Sequence, residues 1–266
     1  MSTTRWLATA LFGLLLASCT EMNTSPGPEV RQVLAPTGKL RVGLYLGAPS
    51  SVLKDSAAGE MKGVGFDLGK ELARRIAVPF EPVVYPTVGD LISNASTGQW
   101  DVTFVSITPE RAKTMDFTSP HLGIEFGYLV RAGSPISDIG DVDRPRVKIA
   151  VATKGSSDAI LSRDLKNAEL VRVQGQPGAL EALKSGKADV FSAIKSNLFE
   201  LSGQLPGSRV LDGHYAIDQQ GMAIPQGREA AMAYANNFII DAKSEGLVRK
   251  AVERSGLRGA VETPSH

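Results

Sequence analysis

The sequence predicts an α/β fold made of two similarly built lobes, and three observations carry that expectation. From Lys39 onward, apolar runs of strand length alternate with helical patterns, as in chains of strand–helix–strand units. The order strand, helix, short strand then occurs twice. The two passes also share a junction: Gly98-Gln99-Trp100-Asp101-Val102 in the first and Gly186-Lys187-Ala188-Asp189-Val190 in the second. Each junction places a glycine suited to a helix C-terminus before an Asp-Val strand start.

In the first pass, residues 40–44 read as a strand ending near glycine. Residues 67–76 read as a helix, because Leu68, Leu72 and Ile76 recur every fourth position on one face. Val88, Leu91, Ile92 and Ala95 mark a weaker helix closed by Gly98, and residues 102–105 form a short strand. That strand delivers the chain to Thr108-Pro109-Glu110-Arg111, a helix start with threonine as N-cap and proline pre-set for the first helical position. A helix N-terminus presents unpaired N–H groups and the positive end of the macrodipole, which suits an anion. Arg111 is then either a solvated residue on an ordinary capped helix or an anion anchor.

The second pass opens with a strand over residues 147–151 followed by Gly155. Leu180 and Leu183 mark a helix ended by Gly186, and residues 189–193 read as a strand. Beyond Pro225 the pattern is helical, with Ala230, Tyr234 and Phe238, then Leu247, Ala251 and Val252, as core-facing stripes.

The N-terminus suggests export. Arg5 precedes an apolar run, residues 6–16, that is short for a membrane span and right for a secretory leader. It ends in Leu16-Ala17-Ser18-Cys19, which looks like a bacterial lipobox, the cysteine being lipidated and left as the new N-terminus. The alternative is a plain signal peptide with an incidental cysteine. On the lipobox reading, residues 1–18 are removed and residues 19–38, with Ser25-Pro26-Gly27-Pro28, are a lipidated N-terminus and flexible tether. A formal net charge of +1 gives no reason to expect nucleic acid as a partner, and a single cysteine excludes an intrachain disulfide. His121, His214 and His266 have no metal-ligand spacing, so neither a metal nor another cofactor is expected. The glycines of residues 63–69 do not fit a dinucleotide fingerprint, and S-x-x-K occurs both at Ser51 and at Ser192, without partner motifs.

Three stretches together resemble a known family. Gly65-Phe66-Asp67-Leu68, Ile107-Thr108-Pro109-Glu110-Arg111 running on to Asp116-Phe117-Thr118, and Gly186-Lys187-Ala188-Asp189-Val190 are similar to the amino-acid-type family 3 of bacterial extracellular solute-binding proteins of ABC importers. The resemblance spans about residues 39–259. It implies a periplasmic-binding-protein-like type II fold, with two α/β lobes joined by two crossover strands and a ligand cleft between them. Lobe one would take residues 39–124 plus 217–262 and lobe two residues 125–216, with crossovers near residues 123–125 and 217–220. The implied partners are a small anionic or amino-acid-like solute, a permease in the inner membrane, and the membrane itself through the lipid anchor.

The family clamps a ligand carboxylate with hydroxyls, backbone N–H groups and an arginine. By position these fall on Thr103, Ser106, Thr108 and Arg111 of lobe one and on Gly155-Ser156-Ser157 of lobe two. A guanidinium suits the task because it offers two parallel charge-assisted hydrogen bonds. Tyr45 and Phe66 are candidates for an apolar wall, with core packing the equal alternative for Phe66. This chain also departs from the family. Ile194 stands where an aspartate usually pairs with the ligand's ammonium, Tyr45 and Ala48 replace an aspartate and an aromatic after the first strand, and Gly69 replaces a second acidic residue. These departures count against a standard α-amino acid and leave two alternatives: a carboxylate or other anion without that ammonium, or an amine held instead by Glu125 or Asp218 near the crossovers. Rival readings are a cyclohexadienyl-dehydratase-like enzyme on the same fold, which needs a carboxylic acid that residues 194–197 do not offer, and a sensor uncoupled from transport. No catalytic residue is assigned.

Replacing Cys19 by serine should leave an unprocessed or unlipidated protein, read as precursor mass and loss from the membrane fraction. Normal maturation of that variant would reject the lipobox.

Overall fold

The computed structural model describes residues 27–54, 59–153 and 155–263, so Cys19 and the apolar leader lie outside the described residues. The chain enters the fold through a short helix, α1 (Pro28–Leu34), with proline in its first turn and Leu34 fully buried. The stretch read as tether up to residue 38 is thus in part helical, because Val30, Val33 and Leu34 find apolar partners in the core.

Strand β1 (Leu40–Tyr45) is followed by a ribbon of two short strands, β2 (Leu53–Lys54) and β3 (Met61–Lys62). Helix α2 (Val64–Arg75) starts earlier than expected and buries Leu68 and Leu72. Its Gly69 faces β1, where a Cβ would lie 2.8 Å from the Val42 side chain, so the acidic residue sought there has no room. Next come β4 (Phe80–Tyr85), α3 (Val88–Ser93) and β5 (Val102–Ser106). Thr87 caps α3, its hydroxyl accepting from the Asp90 amide at 3.1 Å.

The helix expected at Thr108 amounts to one 3-10 turn, Arg111–Lys113. Thr108 Oγ1 does accept from the Arg111 amide at 3.3 Å. However, Met115 and Phe117 are held by the sheet, opposite Pro225 and Ala223, and the chain turns into strand at once. The second half contains β7 (Lys148–Ala152), α4 (Ser156–Asp164), β8 (Glu169–Val173), α5 (Gly175–Lys184), β9 (Val190–Ile194), α6 (Lys195–Ser202) and β10 (Arg209–Val210). Between the halves runs the long strand β6 (Met115–Val130), and β11 (Ala216–Pro225) returns beside it. Helices α7 (Met232–Ser244) and α8 (Leu247–Ser255) and the short strand β12 (Ala260–Val261) complete the described chain.

Among the described residues one ten-stranded sheet has the order β4-β1-β5-β11-β6-β9-β7-β8, with β10 and β12 each pairing with β6 off that path. Read from its two ends, the order repeats: β4, β1, β5 and β8, β7, β9 are parallel triplets, each closed by an antiparallel long strand, β11 or β6. The repeated junction has a matching role in each half. Gly98 and Gly186 take left-handed backbone angles, φ +69° and +71°, that end the preceding helical segments. The following aspartates bind back to the first strand of their half: Asp101 accepts from the Arg41 amide and Asp189 from the Lys148 amide, both at 3.0 Å.

The apolar core is divided the same way. One set, including Leu44, Leu68, Phe104 and Phe238, fills the half built on β1, while Leu129, Ala150, Phe191 and Leu198 belong to the other. The segments expected to cross between lobes pair with each other, Ile217 with Glu125, Asp218 with Ile124 and Gln219 with Gly123.

Asp101 is fully buried and also paired with the guanidinium groups of Arg41 at 2.8 Å and Arg228 at 3.1 Å. Removing one member of a buried pair strands the other charges. Asp101→Ala should therefore lower unfolding free energy by about 3 kcal/mol in urea titrations followed by circular dichroism. The half-exposed counterpart change, Asp189→Ala, should cost about 1 kcal/mol or less.

Candidate functional site

A cavity of about 310 Å³ opens at the C-terminal ends of β7 and β9 and reaches β5 and β11. Helix N-termini converge on it. Gly155, Ser156 and Ser157 begin α4, Gly175 and Gln176 begin α5, and Ile194 and Asn197 bracket the start of α6, all on the cavity wall. This arrangement follows from the parallel strand–helix connections, which place every helix start at the same edge of the sheet. Partial positive charge from these N-termini makes the cavity attractive to an anion.

The opposite wall comes from Ser106 at the end of β5 and Asp218 on β11, with Phe126 of β6 beside them. Asp218 and Gln220 alternate along β11 and so share a face, and Gln220 pairs across the sheet with Ser106. The result is a closed set of bonds: the Ser106 hydroxyl donates to Asp218 Oδ2 at 2.9 Å, and Gln220 Nε2 donates to the same oxygen at 2.6 Å and to Ser106 Oγ at 3.0 Å. Burial pushes the Asp218 carboxyl above its ordinary range, although Ser106, Gln220 and the charge of Arg111 each pull it back.

Arg111 stands behind this wall and does not border the cavity. Its guanidinium donates to the Ser106 carbonyl at 2.9 Å, and it lies close enough to Tyr45 and Asp218 for their charges to act on it. Burial nevertheless depresses its proton affinity, as expected for a cation short of partners. Tyr45 also lies behind Ser106 and Asp218, its hydroxyl 3.3 Å from Ser50 Oγ and its ionisation disfavoured mainly by burial. On the far wall the Tyr215 hydroxyl meets Ser192 Oγ at 2.7 Å and also Ser157, and its ring stacks on Tyr128 at 5.0 Å.

Three further expected site residues are elsewhere. Thr103 lies on the same strand as Ser106 but an odd number of residues away, so it faces the other side of the sheet. There it is fully buried and its hydroxyl donates to the Gly43 carbonyl at 2.7 Å. Phe66 packs edge-to-face on Phe80 at 5.2 Å, at the end of β4 remote from the cavity, and is core. Thr108 caps its own turn and is absent from the cavity wall. Ser156 and Ser157 lie on the wall as expected, as does Ile194, which brings no charge. Sequence reasoning gave no role to Phe126, Gln176, Ser192 or Asn197, and placed no acid in the cleft wall at 194–197. Asp218 supplies one from the other side.

A family profile described as bacterial extracellular solute-binding proteins, family 3, matches residues 40–256. The chain belongs to this family. Among curated relatives, the glutamine-binding protein of Geobacillus stearothermophilus is 25% identical over 242 residues, covering 82% of this chain and 90% of the relative. Among solved structures, an ancestral amino-acid-binding protein described as a precursor of cyclohexadienyl dehydratase is 27% identical with a TM-score of 0.65, covering 84% of this chain and 97% of that one. A binding component of an ABC transporter from Wolinella succinogenes, complexed with lysine, is 26% identical with a TM-score of 0.67, covering 82% and 95%. The expected type II periplasmic-binding-protein fold is the fold of this chain.

Beside the cleft of this family 3 protein, Glu125 on β6 is held by the Lys195 ammonium at 2.6 Å and by His214 Nδ1 at 2.9 Å. Burial raises the Glu125 carboxyl, but the bond and charge from Lys195, then His214, outweigh it and leave its proton affinity below the ordinary 4.5. A carboxylate depressed on folding stabilises the fold above its unfolded pKa and loses that contribution as pH falls through the folded value. Glu125→Gln should therefore lower the melting temperature at pH 7, and the gap to the unmodified protein should close progressively below about pH 4.5. Differential scanning calorimetry across pH checks this.

Proposed function

We propose that this protein is the substrate-binding component of an ABC importer, which captures a small amino-acid-like solute by its carboxylate as two lobes close over it. The observation that carries the reading is the convergence of the α4, α5 and α6 N-termini on one cavity, opposite a wall backed by Arg111. Helix N-termini and a guanidinium are the groups that hold a carboxylate without a metal. Names of similar proteins agree, since they include a glutamine-binding protein, an ancestral amino-acid-binding protein and a lysine complex.

In this reading lobe one comprises residues 39–124 plus 217–262 and lobe two residues 125–216, with bending at the paired crossovers. Closure is favoured because the solute touches both walls and so binds the closed state better. Ser156 and Ser157 hold the carboxylate from lobe two, and Arg111 approaches it from lobe one past Ser106. A permease then reads the closed form. The protein works outside the cytoplasm, anchored to a membrane through Cys19.

A dehydratase reading draws support from one observation, the half-buried acid Asp218 on the cavity wall. Binding is favoured because that carboxyl accepts bonds from Ser106 and Gln220, which hold it as an acceptor and not as a proton donor. Absence of turnover of prephenate or arogenate, followed by ultraviolet absorbance, separates the two.

Arg111→Ala should raise Kd for the best-binding L-amino acid at least about 30-fold, equivalent to about 2 kcal/mol or more. Intrinsic fluorescence titration measures it, and the apo melting temperature should stay within a few degrees. Unchanged affinity would remove the anchor.

A further inference from the structure

We propose that Asp218 is the counter-charge for a solute α-ammonium, so that the cleft is built for a zwitterionic α-amino acid although position 194 carries isoleucine. The inference rests on the reading of the cleft as a solute site and names the group that the solute must bring. Two carboxylates near the crossovers could serve, and the structure separates them. Glu125 is already neutralised by Lys195 and His214 and does not border the cavity. Asp218 borders the cavity and makes no ion pair among the described residues; its bonded neighbours, Ser106 and Gln220, are neutral.

Asp218 is half-buried, and a partly desolvated carboxylate without a cation favours a ligand that supplies the missing charge. Ser106 and Gln220 fix its position. Arg111 lies near Asp218 yet bonds to the Ser106 carbonyl, not to that carboxylate. An α-amino acid carries its two charged groups on one carbon and fits this arrangement: ammonium on Asp218, carboxylate toward Arg111 and the start of α4. A simple carboxylate would take up Arg111 and the helix N-termini and leave Asp218 without a cation.

The titration of Asp218 gives an independent readout. The charged or titratable groups acting on it are Arg111 and Tyr45, and both keep their charge state between about pH 4 and pH 8. An ammonium favours the ionised carboxyl, so amino-acid affinity should rise with pH through the raised Asp218 range. A carboxylate lacking the amine favours the protonated form, so its affinity should fall.

The experiment is a thermal-shift and calorimetric panel of the proteinogenic L-amino acids, each beside its des-amino carboxylic acid, on the unmodified protein and on Asp218→Asn. At least one amino acid should bind tenfold or more tightly than its des-amino partner, and Asp218→Asn should erase that preference. The apo variant should melt at or near the temperature of the unmodified protein, because a half-buried charge without a cation is gone. Equal binding of the two series, or a preference surviving in Asp218→Asn, overturns the inference while leaving carboxylate capture intact. Failure of every compound in both series overturns the solute-binding reading and the inference with it.

Discussion

The antiparallel pairing of β6 with β11 is the constraint on which the rest of the molecule depends. β6 is one strand with two sets of neighbours: it pairs with β11 over residues 115–126 and with β9 over residues 126–130. The two halves are thereby hydrogen-bonded into a single sheet. Register shifts at Gly221 interrupt the ladder beside Gln220. Irregularities of this kind re-aim neighbouring side chains, and here they adjoin the set formed by Ser106, Asp218 and Gln220. The same strands that join the halves therefore also furnish one wall of the cleft.

The two walls differ in physical character. The wall from the second half offers backbone dipoles, fixed by the strand–helix turns and independent of side-chain choice. The wall from the crossover offers a carboxylate with a guanidinium behind it, and neither forms an ion pair with the other. Mutual pairing would have stabilised the empty protein and closed the site to a charged solute. Among the described residues neither makes an ion pair, so on the proposed reading both charges are left to the solute. Nearby, Glu125 with Lys195 and His214 shows the opposite arrangement, a carboxylate saturated by cations and serving the fold.

The overall architecture was legible in the sequence because it rests on local patterns. The repeated Gly-x-x-Asp-Val junction exposed two similar halves, and its aspartates turned out to clip the first strand of each half in the same way. What failed was information set by register and tertiary packing. Thr103 and Ser106 look equivalent in a run of hydroxyls, and only strand parity sends one to the core and the other to the cleft. Phe66 reads as a wall residue until Phe80 is placed against it. The helix anticipated at Thr108 has a sound capping pair, but the pull of Met115 into the sheet reduces it to a turn. Asp218 was visible only as one of two candidates, because its choice over Glu125 depends on which carboxylate already has a cation.

The most direct measurement is a crystal structure of the protein with an L-amino acid in the cleft. The account predicts the α-ammonium nitrogen within hydrogen-bond distance, about 3 Å, of an Asp218 carboxylate oxygen. The α-carboxylate should reach the Ser156 and Ser157 end of α4, with the Arg111 guanidinium across from it. An amino acid seated with its ammonium away from Asp218, or with Arg111 directed into bulk water, would contradict the account.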